Sequence, residues 1–146
     1  MQRRICLYCF VREHIEMFCK NIDLKELFKF MKKEVNIYIL DTPTESQSET
    51  VYKIIKHFQI NGPIFIKDCD NYYKYTVTND NSLCYVIVNN ENKISKIHNK
   101  SFIEFNNLCQ LTNICEKKII SQNICVGGYS FSNSQDFLEI YDEIKH

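Results

Sequence analysis

Asp68 and Asp70 stand two residues apart directly after a short apolar run, in the segment Ile64-Phe65-Ile66-Lys67-Asp68-Cys69-Asp70-Asn71. Two carboxylates at this spacing face one hard cation if the chain bends out of strand geometry there. Mg²⁺ or Mn²⁺ held by one or two carboxylates together with ligand phosphates is the usual arrangement. The competing reading is a solvated acidic turn completed by Asn71. A second candidate, Cys6-Leu7-Tyr8-Cys9, has the C-x-x-C spacing of zinc and redox sites. In a strand, however, an offset of three puts the two thiols on opposite faces, and no second C-x-x-C exists. His14, His57, His98 and His146 are isolated and form no catalytic pattern with a serine or cysteine. Tyr72, Tyr73 and Tyr75 read as part of a partly buried strand more simply than as a stacking platform.

The elements that must position these residues follow from apolar periodicity. Arg4 to Val11 is β-rich and apolar on both faces, as in a strand buried in a parallel sheet. Leu24, Leu27, Phe28 and Met31 recur at helical spacing, with Asp23 and Glu26 near the start and Lys32-Lys33 at the end. Val35 to Leu40 is a second strand. A loop, Asp41-Thr42-Pro43-Thr44-Glu45-Ser46, then leads to the helical stripe Val51, Ile54, Ile55 and Phe58, with Ser46 and Glu49 spaced for a capping box. Asn61-Gly62-Pro63 marks its end, and Ile64 to Lys67 is a third strand running into Asp68.

This alternation predicts an α/β fold with an open, mainly parallel sheet, and ligands at the carboxyl ends of its strands. The second half differs. Leu83 to Val88, Ser101 to Asn106, Cys109 to Cys115 and Ile124 to Phe131 are strand candidates between polar turns. A last helix carries Phe137, Ile140, Tyr141 and Ile144, opened by Ser132 and Gln135. No repeat or linker divides the 146 residues, which read as one domain, 1–146.

Composition narrows the function classes. Eighteen basic and eighteen acidic side chains cancel, which removes the field that would draw nucleic acid or an anionic membrane. Only three glycines are present, so a complete glycine-rich phosphate loop cannot be built. No apolar stretch approaches the ~20 residues of a membrane span, and Arg12-Glu13 cut short the apolar start that a signal peptide would need. The eight cysteines mostly sit inside apolar runs, which predicts small buried thiols and a cytoplasmic location.

Four blocks in order carry a resemblance: Thr44-Glu45-Ser46-Gln47-Ser48-Glu49-Thr50-Val51; Pro63 to Tyr73 with its Lys67-Asp68-Cys69-Asp70-Asn71; Cys115-Glu116-Lys117; and Val126-Gly127-Gly128-Tyr129-Ser130-Phe131. Together they resemble the sugar-nucleotide nucleotidyltransferases of the GT-A-like fold, in the versions found in bacterial capsule and surface-polysaccharide clusters. The resemblance covers most of the chain. It implies a Rossmann-like, mixed, mainly parallel sheet with flanking helices. It also implies Mg²⁺ (or Mn²⁺) on Asp70 with Asp68 as second ligand or partner, and a nucleotide-binding set of Gln47, Ser46 and Thr50 in which Gln47 reads the base edge. Glu116 and Lys117 correspond to sugar and phosphate contacts, and Gly127 and Gly128 to glycines that let the backbone approach the sugar.

The implied partners are nucleotides and sugar phosphates, with no nucleic acid or membrane, and a homo-oligomer or a complementing chain. The implied reaction is attack by a phosphorylated sugar on the α-phosphate of an NTP, with pyrophosphate leaving.

Four departures qualify the match. Nothing corresponds to the family's opening strand and glycine-rich loop ending in Arg, with its following lysine, nor to the downstream strand with its second metal-binding aspartate. The expectation is therefore a domain incomplete at both ends, inactive or weakly active as the isolated chain. Ser46 stands where a glycine is common, and Lys118 stands where a proline follows Glu-Lys. Two competitors remain, a GT-A glycosyltransferase using a nucleotide-sugar donor and a non-catalytic binding module.

Overall fold

A computed structural model describes residues 6–31, 34–69, 72–76, 78, 80–89 and 97–145. Asp70 and Asn71 lie outside the described residues. The chain divides into two compact units, Met1–Ile60 with Leu138–His146, and Asn61–Phe137.

In the first unit, β1 (Cys6–Val11) pairs in parallel with β2 (Val35–Leu40), from Cys6 opposite Val35 to Val11 opposite Leu40. Two helices lie between them, α1 (Arg12–Phe18) and the four-residue α2 (Leu24–Leu27). The stripe Leu24-Leu27-Phe28-Met31 predicts a longer helix than α2. Asp23 does cap it, accepting from Lys25 N at 2.9 Å, but beyond Leu27 the backbone tightens into i→i+3 bonds, Lys29 N to Glu26 O and Met31 N to Phe28 O. The apolar residues still reach their target: Phe28 stacks on Tyr8 at 4.2 Å, and the Tyr8 hydroxyl donates to Met31 Sδ. Helix α1 carries no buried residue, so it has no apolar stripe by which the sequence could announce it.

Helix α3 (Gln47–Phe58) begins where its cap predicts. Ser46 Oγ accepts from Glu49 N at 3.1 Å, while the Glu49 carboxylate accepts from Glu45 N at 2.7 Å, so the box closes on the residue before the cap. Ile55 is buried, and Phe58 meets Tyr38 of β2 edge-on at 5.8 Å. Replacing Ser46 with Ala is expected to cost about 1 kcal/mol, read as a lower urea midpoint at unchanged slope. Tyr52 lies against Tyr141 of α4 (Ser134–Lys145) at 4.5 Å. That helix is opened by Asn133, which accepts from Gln135 N, one residue beyond the expected Ser132.

The second unit corrects the expectation of a mainly parallel sheet. Its strands are β3 (Ile64–Lys67), β4 (Ser82–Ile87), β5 (Ser101–Phe105), β6 (Leu111–Glu116) and β7 (Asn123–Phe131). They form one antiparallel sheet in the order β3-β7-β5-β6, with β4 also on β7. The helix–strand alternation correctly orders β1, β2 and β3 along the chain. Partner choice is non-local, however, and β3 pairs with β7, Ile64 opposite Phe131 and Lys67 opposite Gly128. Phe102, Ile103 and Ile124, each 1% exposed, make the centre of this unit.

Strand β6 starts at Leu111 rather than Cys109. Asn106 Oδ1 accepts from Leu108 N and Gln110 N, and Cys109 takes a positive φ of 58° in the resulting turn. Tyr72, Tyr73 and Tyr75 lie in no strand. All eight cysteines are free thiols, but only Cys125 is buried, with Cys69 and Cys109 exposed and the rest half-buried. Among the described residues no helix is long and apolar enough to cross a membrane.

Candidate functional site

The end of β3 is where the geometry is most constrained. Asp68 N–H donates to Gly127 O at 2.9 Å, which extends the β3–β7 ladder one residue past Lys67. Gly127 has φ +72°, a conformation side chains disfavour, and a Cβ there would overlap the Asp68 carboxylate. At Gly128 a Cβ would overlap the Tyr73 hydroxyl and come within 2.9 Å of Cys84 Sγ. Both glycines are therefore occupied from within the chain, one by the Asp68 carboxylate and the other by the Tyr73 phenol.

The segment after Asp68 returns over β3. Lys67 Nζ donates to Asp68 O at 2.6 Å and lies 4.9 Å from the centre of the Tyr73 ring. Tyr75 stacks on Phe65, ring centres 4.4 Å apart and planes 19° from parallel. Residues 65 and 67 share one face of the strand, as period-two alternation requires, and Tyr75 and Tyr73 cover them in reverse order. The Tyr73 hydroxyl is buried and, among the described residues, makes no hydrogen bond of good geometry, the Cys84 thiol being beside it. Burial, with the neighbouring Cys84, Tyr75 and Asp68, pushes its pKa up to about 12, so it stays a neutral phenol. Burial likewise pushes up Tyr129, whose hydroxyl accepts from the Cys125 thiol at 3.3 Å.

Ser46, Gln47 and Thr50 come together at the start of α3 in the other unit. The hydroxyls of Ser46 and Thr50 are engaged locally: Ser46 with Glu49 N and Ser48, Thr50 with Thr44 and Ser46 O. The Lys53 ammonium, 2.8 Å away, and the Glu45 N–H hold the Glu49 carboxyl below its ordinary range. Gln47 is exposed.

Glu116 ends β6 opposite Ser101, and Lys117, at φ 59°, donates its N–H to Lys100 O. Their side chains pair at 3.1 Å, both about two-thirds exposed. Ser101 is one residue beyond the Phe102–Ile124 pair, so Glu116 is level with Cys125 at about 10 Å, two strand spacings away.

Among the described residues no three His, Cys, Asp or Glu side chains gather as a metal cluster. Cys6 and Cys9 both lie within β1, whose alternation separates their side chains, and burial raises the Cys9 pKa away from thiolate character. Sequence reasoning passed over Lys67, Tyr73 and Cys84. The alternate tyrosines directly after the acidic turn were the signal, since period-two aromatics there can pack back on residues 67 and 65.

The fold is mixed α/β. The chain is similar in structure to the nucleoside-diphosphate-sugar pyrophosphorylase from Vibrio cholerae RC9, with a TM-score of 0.72 and 20% identity over 97% of this chain. It spans 59% of that protein's length, and at this identity the likeness is one of fold. No family model matches the chain. No curated protein matches it either.

Proposed function

We propose that this chain is a nucleotidyltransferase-like protein of nucleotide-sugar supply for capsular or surface polysaccharide, built to bind a nucleotide and a phosphorylated sugar with Mg²⁺. The observation that carries this reading is the seat of the Asp68 carboxylate on Gly127 at the end of β3, in a fold shared with a nucleoside-diphosphate-sugar pyrophosphorylase. Carboxylate oxygens are the hard donors that Mg²⁺ (or Mn²⁺) takes, one or two of them together with ligand phosphates, so the donor chemistry fits. Asp68 and Asp70 would hold the ion, which supplies charge neutralisation to the phosphates when bound.

In the reaction proposed, a phosphate oxygen of the sugar phosphate attacks the α-phosphorus of an NTP. The new P–O bond forms as the bond to the β-phosphate oxygen breaks, and pyrophosphate leaves. Gln47, whose amide both donates and accepts, is assigned to the base edge, with Ser46 and Thr50 shaping that end of α3. Glu116 and Lys117 are assigned to the sugar and its phosphate. With three glycines the chain forms no glycine-rich triphosphate loop, so binding is expected to exceed turnover.

NTPs with Mg²⁺ are expected to raise the melting temperature, and Asp70→Asn is expected to abolish the shift, as mass action on a bound native state requires. Differential scanning fluorimetry with each NTP, with and without EDTA, decides it. Equal stabilisation without metal, or in the variant, would sink the assignment.

A further inference from the structure

We infer that Tyr73 is the positioning residue of Asp68: its ring clamps Lys67 and its phenol fills the space left by Gly128, so that the Asp68 carboxylate is held on Gly127. The inference rests on the metal assignment above and adds a residue that the four sequence blocks did not assign a role. Three contacts carry it. The Lys67 ammonium ties the Tyr73 ring to the backbone of Asp68, through 4.9 Å to the ring centre and 2.6 Å to Asp68 O. Tyr73 Oη takes the volume of a Cβ at Gly128, the residue paired with Lys67. Tyr75, two residues on, repeats the arrangement on Phe65.

Tyr73 and Tyr75 thus meet two successive positions on one face of β3. Asp68 is fastened to Gly127 by its N–H, and Tyr73 is clamped on Lys67. Carboxylate groups bind a metal tightly when the groups behind them fix their orientation, and loss of such support typically costs about 10–100-fold in affinity.

The test pairs a ligand-independent readout with a metal readout. The first is hydrogen exchange of the Asp68 amide by NMR; the second is Mn²⁺ binding, with Mn²⁺ alone as probe, followed by electron paramagnetic resonance. Tyr73→Ala is expected to speed Asp68 exchange and to weaken Mn²⁺ binding, each by about tenfold, with Tyr73→Leu as a volume-filling second variant should the alanine protein fail to fold. Tyr73→Phe keeps the ring on Lys67 but vacates the space beside Gly128, and is expected to fall between wild type and Tyr73→Ala on both.

Unchanged Asp68 exchange in both Tyr73→Ala and Tyr73→Leu overturns the inference. Protected Asp68 in a wild-type protein that binds no Mn²⁺ removes the metal reading instead, while the exchange series still decides the clamp.

Discussion

Gly127→Ala is expected to remove Mg²⁺-dependent stabilisation by NTPs and to lower the stability of the protein itself. Two physical effects act at one atom. At φ +72° an L side chain carries a left-handed penalty of about 1–2 kcal/mol, paid in the folded state alone. The added methyl also overlaps the Asp68 carboxylate, which must leave its seat. The backbone bond from Asp68 N–H to Gly127 O need not break, so the fold survives while the carboxylate is displaced. Urea unfolding measures the first effect and the Mg²⁺–NTP thermal shift the second. An alanine variant that keeps the full thermal shift would show that the seat on Gly127 has no part in metal binding.

The largest loss of stability is expected from Phe102→Ala. Phe102 is 1% exposed and sits on β5, opposite Cys115 of β6 on one side and Ile124 of β7 on the other. Truncation removes the ring from the point where three strands meet and leaves a cavity that close-packed neighbours fill only in part, at a cost of about 3–5 kcal/mol. Against total stabilities of roughly 5–15 kcal/mol this is a large fraction. Leu111 and Ile114 on β6, both 49% exposed, serve as controls, where truncation should cost much less. Urea denaturation of the three variants gives the comparison. A loss at Phe102 no greater than at Ile114 would mean that Phe102, Ile103 and Ile124 are not the core of this unit.

Local order was well written in the sequence. Val35–Leu40 and Ile64–Lys67 fall where their apolar runs predict, and α3 starts at the residue after its Ser46 cap, because these features depend on contacts a few residues apart. The same logic misassigned the cap of α4, where Asn133 rather than Ser132 meets the helix. Both residues are good caps, and which of the two neighbours accepts from the first turn depends on a one-residue difference in where the helix starts.

Residue types alone identified the chemistry on offer at Asp68 and Asp70, a carboxylate pair after a strand in a chain with no phosphate loop and no net charge. The family resemblance added the Gly127-Gly128 pair. Only the tertiary structure decided that Asp68 and this pair belong together, through an antiparallel β3–β7 ladder joining positions about sixty apart. It likewise decided that the room left by the glycines is taken by Asp68 and Tyr73. Strand order along the chain is a local property of hydrophobic spacing. Which strand pairs with which, and therefore what fills the space beside a glycine, is settled by burial summed over the whole unit.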